Sequence, residues 1–201
     1  MNTILNQLLL FDLTLLENAR GIVSPEYAFI IQFLGELVVF YWASLLVAIW
    51  LFGVYRKDNS YKQKSLAIFF TIISIFIVYA IINLGIPQWR PGATEAVRGG
   101  IAPLIPHPID NSFPSGHALF TGALLFWIFR YFYYRWIIVI TIIVGALTLT
   151  ARVFGGVHYP GDIIAGLFIS LTGAYMLRPI IDIFISRIAP FIIRIAGWIK
   201  L

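Results

Sequence analysis

The chain has 201 residues, 60% of them hydrophobic and 11% charged, whereas a soluble domain carries about a quarter charged residues. This balance excludes an ordinary soluble domain, and the formal net charge of +5 reads as a membrane-orientation signal rather than a nucleic-acid footprint. The absence of cysteine excludes disulfides and thiolate metal sites.

In chain order, residues 3–18 place Ile4, Leu5, Leu8, Leu9, Phe11, Leu15 and Leu16 near helical spacing, broken by Asn6, Asp12 and Glu17. That pattern predicts a helix lying in the membrane interface within residues 1–26. No basic residue precedes its apolar run and no small-residue cleavage site follows, so it does not read as a signal peptide. Bilayer crossing needs about 20 mostly apolar residues. Five stretches qualify, at roughly 27–54, 65–86, 115–134, 136–154 and 162–178. The last stretch, 179–201, carries Asp182, Arg187, Arg194 and Lys200 around Pro190 and is expected to be an amphipathic segment or a poor sixth span. The expected fold is an all-α integral membrane protein, one domain over 1–201. Its bundle has five transmembrane helices, six if the last segment crosses, with amphipathic terminal helices.

Charge in the connections predicts an orientation. Arg56, Lys57, Lys62, Lys64, Arg130, Arg135, Arg178, Arg187, Arg194 and Lys200 fall on one side, ten of the 14 basic residues. Arg20, Arg90, Arg98 and Arg152 fall on the other, with Asp12, Glu17, Glu26, Glu95, Asp110 and Asp162. The positive-inside rule puts the N-terminus outside and the C-terminus inside the cytoplasmic membrane. Tyr131, Tyr133, Tyr134 and Trp136 cluster where an interfacial aromatic belt would lie. The outer connections then hold all three histidines, His107, His117 and His158.

Three stretches on that face carry chemistry. "IPQWRPG", 86–92, sets Arg90 at the outer end of the second span. "NSFPSGH", 111–117, offers Asn111 or Ser112 as a helix cap and Pro114 for a first turn. Ser115 and Gly116 follow with backbone N–H groups at a helix N-terminus, an anion site, and glycine admits a ligand close to the backbone. A capped helix start explains the proline and serine but not His117. "ARVFGGVHYPGD", 151–162, ends a span at Arg152, turns at Gly155-Gly156 and spaces His158 and Asp162 four apart. A carboxylate at that spacing can fix an imidazole tautomer and support its cation. Arginine forks and helix amides bind phosphate oxygens, and of two histidines one can attack and one protonate a leaving oxygen. The residues point to phosphoryl transfer through a histidine.

These stretches resemble the three motifs of the type 2 phosphatidic acid phosphatase superfamily, K-x6-RP, PSGH and SR-x5-H-x3-D. Here they read Arg90-Pro91, Pro114-Ser115-Gly116-His117 and Arg152-x5-His158-x3-Asp162. The resemblance implies that His158 is the nucleophile of a phosphohistidine intermediate, that Asp162 orients it and that His117 protonates the leaving group. It also implies that Arg90, Arg152, Ser115 and Gly116 bind the phosphate, with no metal or other cofactor. Two positions depart: Asn83 stands where the family has lysine, and Ala151 where it has serine. Asn83 keeps two N–H donors for the phosphate without the charge. "LIPHPIDNSFPSGH" and the short length look most like the bacterial undecaprenyl pyrophosphate phosphatases of this superfamily.

The expected activity is therefore that of a metal-independent lipid phosphatase acting at the outer membrane face, with a membrane lipid phosphate as partner and no nucleic acid. Undecaprenyl pyrophosphate comes first among substrates, then phosphatidylglycerol phosphate and other lipid phosphates, with phosphotransfer using the same residues. A non-catalytic lipid-phosphate binding or transport protein is the rival reading, raised by Asn83 and Ala151. His107 matches no catalytic position and is expected to make an outer-loop contact. Glu36, an ionisable group inside the first span, is costly there and a functional candidate by position, against a structural hydrogen bond.

Overall fold

The computed structural model of the chain describes residues 2–91, 102–107, 110–132 and 134–198. Glu95, Arg98, Tyr133, Lys200 and the side chains of Ile4, Leu5 and Asn6 lie outside the described residues. Among the described residues six α-helices carry the fold: α1 (Asn2–Ile22), α2 (Ala28–Arg56), α3 (Asn59–Gly85), α4 (Gly116–Tyr131), α5 (Arg135–Phe154) and α6 (Pro160–Trp198). Among the described residues the one β-type pairing is an isolated antiparallel bridge between Trp89 and Asn111. Pro25–Arg56, Asn59–Gly85 and Arg135–Phe154 are long and apolar enough to cross a bilayer. Their outward faces are hydrocarbon, with Phe29, Phe33, Phe40 and Val47 on α2, Ile77, Ile81 and Leu84 on α3, and Val139 and Ile143 on α5 all exposed. A surface of that kind suits lipid and not water. The chain is a multi-pass membrane protein.

At 16 residues, α4 is about 24 Å long, and it is the hub of the bundle. Ala118, Leu119, Ala123, Leu124, Trp127 and Ile128 are wholly buried, so the helix is apolar on most sides because it is enclosed over most of its length. Close approach to α6 depends on two glycines. A Cβ added at Gly122 would run into the Ser170 hydroxyl, and one at Gly166 would meet Ala118 Cβ at 2.8 Å and the Ser115 carbonyl at 2.9 Å. The indole N–H of the buried Trp127 is satisfied by Thr71 Oγ1 of α3 at 2.8 Å.

The stretches read separately in the sequence, 162–178 and 179–201, are joined in one helix. α6 runs for 39 residues, through Pro179 and Pro190, about 58 Å at the helical rise. Each interior proline removes one hydrogen bond. Ile181, Ile185, Ala189 and Ile193, one turn apart, remain buried in the main core, and that packing carries the helix past both prolines. At the N-terminus, Leu16 of α1 is buried while Leu8, Leu9, Leu10 and Phe11 are exposed.

The up-and-down order brings the start of α2, the end of α3, the start of α4, the end of α5 and the start of α6 to one end. All the candidate site residues sit there. The α2–α3 and α4–α5 turns form the opposite end and carry Arg56, Lys57, Arg130 and Arg135.

Candidate active site

Helix termini and the 86–91 and 110–115 segments build the site. The segments run antiparallel, with Ser112 N–H donating to the Gln88 carbonyl at 2.7 Å and Arg90 N–H to the Asp110 carbonyl at 3.3 Å. In extended chain, alternate side chains share a face. Gln88 and Arg90 accordingly turn inward, while Trp89 between them is exposed. Between α5 and α6, Gly156 adopts φ 73°, a conformation that glycine reaches without cost, and this turn delivers His158 to the pocket floor.

His158 is almost completely buried. Its Nε2 lies 3.0 Å from Arg90 Nη1 and its Nδ1 3.3 Å from Asp162 Oδ2. A guanidinium can only donate, so Nε2 accepts and the neutral ring carries its proton on Nδ1, donated to Asp162. The lone pair that can attack an electrophile is thus on Nε2, beside the arginine. Burial, then the charges of Arg90 and Arg152, hold the imidazole well below its ordinary titration range, with smaller contributions from His117 and His107. A neutral imidazole is the nucleophilic form.

Asp162 is fixed from three sides. Its carboxylate accepts from His158 Nδ1, from Tyr159 N–H at 3.0 Å and from Gln88 Nε2 at 3.1 Å. The bond to Tyr159 is one half of a capping box at the start of α6, so Asp162 serves both the helix dipole and the histidine. Arg90 is held in turn by the Asp110 carboxylate and by the Val157 carbonyl at 3.1 Å.

Across from this pair, His117 Nε2 lies 3.1 Å from Glu36 Oε2, and Arg152 Nη1 lies 2.9 Å from Glu36 Oε1. Ser115 is the N-cap of α4, in place of the expected Asn111 or Ser112, and its side chain makes no cap bond. Its backbone N–H, expected to be free, donates to the Asp162 carbonyl at 3.2 Å. Its hydroxyl is buried without a partner, as is Arg152 Nε. Two unsatisfied buried donors are costly unless a ligand meets them. A Cβ at Gly116 would find nothing within 4 Å, so bare backbone faces open space there. His107 joins the same pocket, its ring centroid 6.3 Å from that of His158.

The two departures from the motif have local causes. Asn83 Nδ2 donates to the Phe113 carbonyl at 3.0 Å and to the Asn111 carbonyl at 3.5 Å, so its donors hold the loop that leads into Ser115. Ala151 is buried in an apolar cluster with Ile31, Ile105 and Val157. Gln88, Asp110 and Asp12 are residues the sequence did not single out. For Gln88 the available signal is its i, i+2 relation to Arg90. Among the described residues no group of three or more His, Asp or Glu is arranged to hold a metal ion.

The PAP2 superfamily profile matches residues 64–185. Undecaprenyl-diphosphatase BcrC of Bacillus subtilis is 32% identical over 161 residues, 77% of this chain and 78% of that protein. Bacitracin transport permease protein BcrC of Bacillus licheniformis is 29% identical over 76% of this chain and 72% of that one. A crystal structure of a transmembrane PAP2-type phosphatidylglycerolphosphate phosphatase from Bacillus subtilis superposes with a TM-score of 0.68 at 18% identity. It covers 90% of this chain and 88% of that one, and the fold is shared.

Proposed function

The chain belongs to the PAP2 superfamily of membrane phosphatases, and from that premise we propose that it hydrolyses a lipid diphosphate, undecaprenyl pyrophosphate first, through a phosphohistidine on His158. The observation that carries the reading is His158 held between two partners, Nδ1 on Asp162 and Nε2 on Arg90. The similarity to a protein named undecaprenyl-diphosphatase supports the choice of lipid.

The terminal phosphoryl group sits among Arg90, Arg152, the Ser115 hydroxyl and the Gly116 backbone, the orphaned donors filling their vacant bonds. His158 Nε2 attacks phosphorus, the bond to the bridging oxygen breaks, and His117 gives that oxygen its proton. The lipid monophosphate leaves. His117, now neutral, takes a proton from water as the water attacks phosphorus. The N–P bond breaks, inorganic phosphate is released and His158 is regenerated. Positive charge fixed among buried side chains supplies much of the stabilisation of the equatorial oxygens. No metal enters this sequence, because the arginines supply the charge.

The test is phosphate release by the purified chain from a panel of undecaprenyl diphosphate, phosphatidylglycerol phosphate and phosphatidic acid. Turnover fastest on the diphosphate and unaffected by excess chelator is expected. No release from any of the three overturns the reading in favour of binding or transport.

We also infer that the site end faces the cell exterior, with the Arg56/Lys57 and Arg130/Arg135 turns in the cytoplasm. A cysteine at exposed Trp89 should react with an impermeant thiol reagent on intact cells, and one at exposed Asn59 should not. The reverse pattern inverts the topology.

A further inference from the structure

Glu36 stands apart from the three motif stretches. It lies on α2, before residue 64 where the family match begins, yet its carboxylate enters the pocket and divides its two oxygens. Oε2 meets the Nε2 of His117 at 3.1 Å and Oε1 meets the Nη1 of Arg152 at 2.9 Å. The neighbouring Gly35 makes room for this, because a Cβ there would come within 3.3 Å of Arg152 Cδ.

A bond made only to dock α2 on α5 is superfluous here. Val38 N–H already donates to Thr148 Oγ1 at 3.0 Å, and the Tyr41 hydroxyl meets Thr141 Oγ1 at 2.8 Å. These two ties, one on each side of a helical turn, register the two helices without a charge. Placing an ionisable group inside a membrane helix is expensive, and a neutral side chain would serve a docking role at lower cost.

The geometry points to Glu36 as a positioning residue for both halves of the reaction, orienting His117 as proton donor and restraining the charge of Arg152. This rests on the reading of His117 as the leaving-group acid. With Nε2–H held by the carboxylate, Nδ1 is the nitrogen left to face the substrate. The imidazolium gives its Nδ1 proton to the departing oxygen as the P–O bond breaks, and takes one back there from the attacking water. Glu36 is to His117 what Asp162 is to His158, with the ring reversed. Its second oxygen neutralises part of the Arg152 charge, so phosphate is bound firmly enough to react and weakly enough to leave.

The two effects move opposite quantities, which a merely structural role would not do. In E36Q, which keeps the size and loses the charge, kcat/KM for the lipid diphosphate should fall ~10- to 100-fold, a fraction of a full general-acid contribution. With an aryl phosphate, whose leaving group needs no proton, kcat/KM reports phosphoenzyme formation alone and should change little, while kcat, which includes the shared hydrolysis step, falls. Inorganic phosphate, measured by calorimetry on the purified chain, should bind about fivefold or more tighter, because Arg152 has lost its competing carboxylate. Equal losses of kcat/KM on both substrates, unchanged kcat/KM on both, or unchanged or weaker phosphate binding overturns the proposal. If the wild-type chain releases phosphate from no lipid, the phosphatase reading fails separately. The calorimetric comparison then decides Glu36 alone, tighter binding upholding it and the alternatives overturning it. Should E36Q not fold, E36D carries the test by withdrawing the carboxylate one methylene. A loss of kcat/KM confined to the lipid substrate upholds the proposal, and a loss of kcat/KM shared by both substrates overturns it.

Discussion

The carboxylate of Asp12 accepts the backbone N–H of Gly161 at 2.8 Å, which joins α1 to the first turn of the helix that carries Asp162. A helix N-terminus leaves its first N–H groups unsatisfied, and here another helix supplies the acceptor. Asp12→Ala should therefore lower stability by about 0.5–2 kcal/mol, the usual range for a lost N-terminal cap. Burial raises the Asp12 titration above the ordinary carboxylate range, against the bond from Gly161. A group raised in the folded state adds stability below its unfolded value and loses that contribution as pH rises through the folded one. Asp12→Asn, an equally good acceptor without charge, should therefore match or exceed wild-type thermal stability at pH 7, with its advantage shrinking towards pH 4. An Asn variant as unstable as the Ala variant would show that the charge itself holds α1 in place.

The proposed division of labour between the two histidines follows from their partners. His158→Ala removes the atom proposed to accept phosphorus, so turnover should be undetectable on lipid and aryl phosphates alike. His117→Ala should cost about 10²–10⁴ in kcat/KM on a lipid substrate, the general-acid range, and within roughly tenfold in kcat/KM on an aryl phosphate, where that ratio stops at phosphoenzyme formation. Similar residual kcat/KM of the two variants on the aryl substrate would refute the assignment.

The pH profile gives an independent check on His158. Burial first and Arg90 second push its titration well below the ordinary imidazole value. The attacking form is neutral, so a depressed titration keeps the nucleophile ready at lower pH. With an aryl phosphate, the acid limb of kcat/KM should lie below about 6.5, the unperturbed histidine value. Arg90→Gln removes one cause and leaves burial, so the limb should move upward. A limb that stays in place would mean that Arg90 does not bear on His158.

Much of this was legible in the sequence because it is local. Apolar runs of about 20 residues read as spans, and the spacing of His158 and Asp162 predicted their contact. The continuity of α6 was not legible, because Pro179 and Pro190 look like stops until the Ile181, Ile185 and Ile193 stripe is seen against the core. Nor were the supports of the site. Gln88 lies 74 residues from Asp162, Glu36 116 from Arg152 and Asp12 149 from Gly161, and no periodicity within one element relates such pairs. Glu36 announced itself by its cost in a membrane helix, but its partners came only from the packing of α2 on α5.

Asn83 sets the last prediction, since the family has lysine at its position. Its amide donates to the carbonyls of Asn111 and Phe113, immediately before Pro114 and the orphaned hydroxyl of Ser115. A side chain at 83 therefore lies beside the proposed phosphate pocket, but the native one is engaged by the loop. A lysine stem is longer, and its ammonium would reach past the Phe113 carbonyl towards the phosphate. Charge counts for more there than in water. Asn83→Lys should tighten vanadate binding by about 1–2 kcal/mol, the gain of a charge-assisted hydrogen bond over a neutral one. The loop should loosen at the same time, lowering the unfolding temperature. Turnover need not rise, because tighter ground-state binding does not by itself lower the chemical barrier. Asn83→Leu separates the two effects, with the same loss of stability and no gain in vanadate affinity. If the lysine variant binds vanadate no better than the leucine variant, position 83 serves the loop alone and the phosphate charge comes from Arg90 and Arg152.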